Sequence, residues 1–201
     1  MVEVTWNELR AIEPSRHELM RYSDVLAQGY NEPTNATLMG HTSVVSPGEV
    51  VEMYEEAIEN GMRAFLFFVG NEFAGDGDLR NPRGTPGEAS ALRFGRDMTA
   101  EFAFMIATPA AQGKGLGTRF ATMLLWFGFS ELGLRRIYAS VVPQNTGSLR
   151  VFEKLGYLVD NSPEGRGYAE EPGDITLSIG RDEFLAKHAA LTEQIQIGGR
   201  S

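Results

Sequence analysis

The chain contains no cysteine. That excludes a disulfide framework, thiolate chemistry and cysteine-ligated metal, and leaves no mark of an oxidising compartment. Histidine is scarce: His17, His41 and His188 lie far apart, without metal-ligand spacing, and read as structural or exposed. Cations are in deficit. Lys and Arg number 18 against 27 Asp and Glu, a formal charge of −9 that suits a phosphate backbone poorly and an amine-bearing partner better. Long apolar runs are missing. The longest, Phe120 to Phe129, is interrupted by Thr122 and Gly128 and has half of the roughly 20 residues a membrane span needs. The stretch Met1 to Pro14 is acidic and lacks a basic start followed by an apolar run. These absences point to a cytoplasmic protein with no nucleic-acid or membrane partner and no metal. Gly (23) and Pro (9) are too few for a low-complexity chain, and 201 residues make one domain over 1–201.

What is present alternates between helix and strand signals. A short strand is expected at Leu9 to Ile12, ended by Pro14. A helix over 15–29 follows from Ser15 as N-cap and Leu19, Tyr22, Val25 and Leu26 at helical spacing. Asn31 to Thr42 reads as loop. The clearest helix is 47–60: Ser46 and Glu49 make a capping box, Pro47 fits the first turn, and Gly61 fits the left-handed position after the last. Ala64 to Val69 reads as a buried strand, Asn71 to Asp78 as turn chemistry leading into another, and 81–95, with Pro82, Gly84, Pro86 and Gly87, as a long loop. Glu101 to Ala107 is a strong strand. A helix over 118–131 is apolar on nearly every side and therefore buried. A strand at 136–142, a helix at 148–155, strands at 157–159 and 174–179 around a polar excursion, and a helix at 182–194 complete the reading.

The most informative segment is Gln112-Gly113-Lys114-Gly115-Leu116-Gly117, between that strong strand and the buried helix. Its glycines allow a tight turn that brings several N–H groups close to a ligand. The helix N-terminus behind them adds a positive dipole end, a combination that favours phosphate or pyrophosphate. A P-loop fails because Gly115, not Ser or Thr, follows Lys114. A dinucleotide fingerprint fails because Gly113, Gly115 and Gly117 are one residue short in spacing, and no acid follows the next strand at Val142-Pro143-Gln144. A glycine turn without a ligand remains open from the loop alone.

Gln112, Gly115 and Gly117 match the Gln-x-x-Gly-x-Gly loop of the GNAT superfamily, the acyl-CoA-dependent N-acyltransferases. A second segment agrees: Asn145-x-x-Ser148, then Glu153-Lys154-Leu155-Gly156-Tyr157, is similar to the Asn-x-x-Ser…Glu-Lys-Leu-Gly-Phe/Tyr segment of that superfamily. The chain resembles most the branch named for N-terminal acetylation of bacterial ribosomal proteins. The resemblance implies an α/β fold with a mixed, twisted sheet splayed at the cofactor strand and flanked by helices on both faces. It implies transfer of an acetyl group from acetyl-CoA to a primary amine, on a small molecule or a peptide N-terminus, by direct attack in a ternary complex. Homodimers are common in such enzymes.

The resemblance also distributes roles. Gln112, Gly113, Lys114, Gly115, Leu116, Gly117 and Thr118 would hold the pyrophosphate. Backbone groups of Met105, Ile106 and Ala107, with Asn145 and Phe152, would line the pantetheine arm. Glu101, eleven positions before Gln112, falls where the histone-acetylating members carry their general base; its apolar neighbours Phe102 and Phe104 would raise its pKa. A solvent-facing carboxylate, or one paired with Arg96, is the competing reading. Ser148 would assist the leaving thiolate, because Phe152 stands where many members place a tyrosine acid. Arg119 either meets a phosphate or is a solvated first-turn residue, and Met20 and Met53 lie on helices that would border the acceptor. A non-catalytic acyl-CoA-binding module on the same fold is the alternative function that Phe152 keeps open.

Overall fold

The structure is a computed structural model and describes residues 1–39, 43–81, 94, 97–108 and 111–199. Its elements run β1 (Val2–Trp6), β2 (Leu9–Ile12), α1 (Arg16–Asn31), α2 (Pro33–Leu38), α3 (Pro47–Glu59), β3 (Arg63–Val69), β4 (Glu72–Arg80), β5 (Thr99–Ile106), α4 (Leu116–Ser130), β6 (Arg136–Val141), α5 (Thr146–Leu155), β7 (Leu158–Val159), α6 (Pro163–Arg166), β8 (Ile175–Gly180), α7 (Arg181–Thr192) and β9 (Gln196–Gly199). Nine strands form one sheet in the order β7-β8-β6-β5-β4-β3-β2-β1-β9. Every pair is antiparallel except β5 and β6.

Alternation along β5 divides the core. Phe102, Phe104 and Ile106 belong to one face, packed with Phe120, Phe127 and the rest of α4. Met105 and Ala107 belong to the other, under Leu19 and Leu26 of α1 and Val50, Val51 and Tyr54 of α3. Helix α4 is buried along most of its length, and Phe120 stacks on Phe67 of β3 with ring centroids 4.4 Å apart. The two capping boxes expected from sequence form: Ser15 with Glu18 on α1, Ser46 with Glu49 on α3. Gly61 takes the left-handed conformation, φ +97. No helix among the described residues is long and apolar enough to cross a membrane.

Three readings need correction. The segment 31–42 is not all loop: Glu32 accepts from the Asn35 N–H and Pro33 opens α2. Strands β1 and β9 were not foreseen, and α6 occupies part of the polar excursion. The Asp-Gly-Asp of 76–78 is the middle of β4, not a turn. The loop expected over 81–95 lies outside the described residues apart from Asn81 and Phe94, as do His41 and Arg96.

Candidate active site

The parallel pair β5–β6 is the origin of the site. It is registered only over Thr99–Glu101 against Arg136–Tyr138, and beyond Glu101 the two strands part. β4 stays paired to β5 as far as Gly75 against Ile106. The Ala107 N–H donates to the Ala74 carbonyl at 2.9 Å. Antiparallel alternation therefore turns the backbone groups of Ala103, Met105 and Ala107 toward β4 and those of Phe104 and Ile106 toward the gap. The Ile106 carbonyl accepts from Gln112 Nε2 at 3.0 Å on that side. This corrects the expectation for Met105 and Ala107: of the three positions, only Ile106 offers its main chain to the gap.

The glycine loop lies at the end of β5. Gly113 and Gly115 both have positive φ, +73 and +75, a conformation costing other residues about 1–2 kcal/mol. Gly115 is the N-cap of α4 and, being glycine, makes no side-chain cap bond to the helix. The first-turn N–H groups of Leu116, Gly117 and Thr118 are thus left at the positive end of a long helix. α4 begins two residues earlier than expected, so Leu116 and Gly117 are helix rather than loop. Gln112, Gly113, Lys114 and Gly115 are exposed. A Cβ on Gly117 would come within 3.1 Å of the Phe104 ring, so its absence lets the helix start close to β5. Arg119 turns elsewhere: it pairs with Glu8 at 2.5 Å and lies 5.0 Å from the centroid of the Trp6 ring.

A cavity of about 700 Å³ runs through the β5–β6 gap. Glu101, Met105, Asn145, Ser148 and Phe152 all line it, so five of the expected residues meet there. Ile106, Ala107 and the 112–118 loop do not line it. Asn145 caps α5, its Oδ1 accepting from the Ser148 N–H at 3.0 Å. Phe152 packs edge-on to Phe102, Phe104 and Tyr157. Met53 lines the cavity, whereas Met20 is exposed elsewhere.

Glu101 is 2% exposed. It accepts from Arg80 Nε at 3.1 Å, on the directly opposed residue of β4. Burial pushes its carboxyl from 4.5 up to about 7; Arg80 opposes the rise and Glu170 adds to it. Arg80 also pairs with Glu170 and stands 3.5 Å from Asp78. Further along the same face of β4, Asp76 accepts from Tyr54 Oη at 2.5 Å and Tyr30 Oη at 2.7 Å. Burial raises both aspartates to about 6. The segment carrying Glu170 is fixed over the gap: Tyr168 stacks on Tyr138 at 4.1 Å and bonds Thr99 at 2.7 Å, and the Glu170 N–H donates to Ser140. Asp76, Asp78, Arg80, Tyr30, Tyr54 and Glu170 were missed from sequence. The available signal was Asp76-x-Asp78-x-Arg80, three charges on one face of a strand neighbouring a core strand.

Among the described residues the arrangement offers a buried carboxyl poised near neutrality, an open strand edge and a helix N-terminus without a side-chain cap beyond it. Comparison with known proteins gives the family. The acetyltransferase (GNAT) domain family matches residues 8–158, about three quarters of the chain. Spermidine N(1)-acetyltransferase of Escherichia coli K12 is 32% identical over 91 residues, 44% of this chain and 48% of that protein. Human alpha/beta-tubulin-N-acetyltransferase 9 is 40% identical over 99 residues, 49% of this chain and 47% of that protein. The chain thus spans about half the length of these curated relatives. The crystal structure of an aminoglycoside acetyltransferase, AAC(6')-Ib, in complex with coenzyme A superposes with a TM-score of 0.67 at 17% identity, covering 94% of this chain and 99% of that one. A family match of this extent, on a sheet of the same build, leaves one assignment: the chain belongs to the GNAT acetyltransferase domain family.

Proposed function

We propose that the chain is an N-acetyltransferase that moves an acetyl group from acetyl-CoA to a primary amine by direct attack. The observation that carries this reading is the parting of β5 from β6 immediately after Glu101. It leaves an unpaired strand edge and a near-neutral carboxyl in one cavity.

Acetyl-CoA supplies an acyl group activated as a thioester. The N–H groups at the start of α4, with the backbone of Gly113 to Gly115, hold its pyrophosphate. The open edge at Phe104 and Ile106 and the side chains of Asn145 and Phe152 border its pantetheine arm. The Phe104 N–H faces the gap from a residue that lines the cavity with Glu101, and is the main-chain donor available to the acyl oxygen as charge develops there. Glu101 accepts the proton that the amine loses on attack. A carboxyl near 7 is well matched to that task, being largely ionised just above neutrality yet still basic. Ser148, half-buried in the same cavity, donates to the departing sulfur. A thiol pKa of about 8–9 makes that help modest, which is why Phe152 is tolerated where a tyrosine acid would stand.

The test is release of free thiol from acetyl-CoA with a panel of primary amines. Amine-dependent release that Glu101→Gln reduces sharply supports the transferase. Saturable acetyl-CoA binding without thiol release from any amine favours the non-catalytic module.

A further inference from the structure

The face of β4 that borders the cavity is more acidic than one transferred proton requires. Asp76 and Asp78 precede Arg80 at alternate positions, and the register sets Glu101 opposite Arg80, Ala103 opposite Asp78 and Met105 opposite Asp76. The only cation among these side chains, Arg80, contacts Glu101, Glu170 and Asp78. Asp76 is 5% exposed, and its Oδ2 takes both tyrosine hydroxyls. The Oδ1 atoms of Asp76 and Asp78 are buried and have no hydrogen-bond partner among the described residues. Both residues line the cavity that holds Glu101. Buried carboxylate oxygens in native proteins are ordinarily bonded, so two orphans on one cavity wall mark places for donors brought by a ligand.

We propose that the acceptor is a linear diamine or polyamine, with one nitrogen at Glu101 and a second ammonium held by Asp78, and by Asp76 for a longer chain. The proposal rests on the transferase reading above. Residues two apart on a strand are ~6.7 Å apart and diagonal neighbours on paired strands about 7–8 Å, so Glu101 on β5 and Asp78 and Asp76 on β4 form a ladder of two steps of similar length. A four-carbon diamine, extended, separates its nitrogens by about 6 Å with ordinary bond lengths. An ammonium has three donors and no acceptor, which suits an orphan carboxylate oxygen. Met53, Ala57 and Met62 give the same cavity an apolar wall for the methylene chain. The carboxylates are strung along the strand rather than converging: no group of three among the described residues is placed to hold a metal ion.

The test is calorimetric titration of the full chain at pH 8 with 1,3-diaminopropane, 1,4-diaminobutane, 1,6-diaminohexane, spermidine and n-butylamine. Thiol release from acetyl-CoA is measured with the same amines and with a short peptide bearing a free N-terminus. The expected result is binding of 1,4-diaminobutane and spermidine at least tenfold tighter than n-butylamine. Asp78→Asn should bring 1,4-diaminobutane to the n-butylamine level, and Asp76→Asn should weaken spermidine more than 1,4-diaminobutane. Equal binding of diamines and n-butylamine, or no binding of either, overturns the proposal; the chain-length series decides this in the wild type even where a variant fails to fold. Thiol release with the peptide and not with polyamines overturns the proposal but leaves the transferase standing. Tight diamine binding without thiol release from any amine overturns the acceptor assignment together with the transferase, leaving a polyamine-binding site only.

Discussion

Glu101 could be singled out as a candidate base from its offset to the glycine loop, but its environment could not. Sequence neighbours Phe102 and Phe104 pointed to burial, yet the charge that tempers it comes from Arg80 on the facing strand, through a register no local pattern reveals. With a carboxyl near 7 acting as base, kcat should rise with pH through about 7. Glu101→Gln should lower kcat by about 10²–10⁴-fold and abolish that limb while acetyl-CoA still binds. Unchanged turnover across the profile would remove Glu101 from the mechanism. The same burial has a cost in stability. Asp76, Asp78 and Glu101 keep their protons to higher pH when folded, about 6, 6 and 7 against 3.8, 3.8 and 4.5. Between these limits the folded chain binds more protons than the unfolded one, so stability from these groups is greatest below about pH 4 and is lost as pH rises to 7. Thermal melts of wild type should therefore fall from pH 5 to pH 8, and Asp78→Asn or Asp76→Asn should flatten the fall; a variant with the wild-type slope would contradict it.

At the scale of elements, what could be read was what is written locally. The capping boxes of α1 and α3 consist of residues three apart, and both were recognisable before any tertiary context. Asn145 belongs to this class: the Asn before the helix signal is its cap. Asn145→Ala should cost about 1 kcal/mol, a fall in Tm of roughly 2–4 °C for a chain of this size, measured by thermal unfolding without ligand. An unchanged melt would mean the bond to the Ser148 N–H contributes nothing. Elements defined by distant partners were not legible. Asp76-Gly77-Asp78 has the composition of a turn, but β3 and β5 pair on either side and draw it into the sheet interior. β9 is Gln-Ile-Gly-Gly, with no strand signal of its own, and exists through its pairing with β1. α2 opens on Glu32, an unusual cap, and was hidden in a polar stretch.

For the molecule as a whole, one sheet joins both termini of the described chain, and helices cover its two faces with separate cores. The family-level architecture followed from two motifs in order, Gln112 to Gly117 and Asn145 to Tyr157. The cavity wall did not, because it is assembled across the sheet from α1, α3, β4, β5 and the segment after α6. The central claim is that the parted β5–β6 edge and the α4 N-terminus together receive acetyl-CoA. Calorimetric titration of acetyl-CoA into wild type and Gly115→Glu, with dephospho-CoA and ATP as controls, tests it most directly. The substitution places a side chain at φ +75 and a negative charge at the helix N-terminus. The expected result is saturable one-to-one binding by wild type, weakened on the order of tenfold or more in a variant that remains folded. Absence of saturable binding by folded wild type, or equal binding by the two proteins, would contradict it.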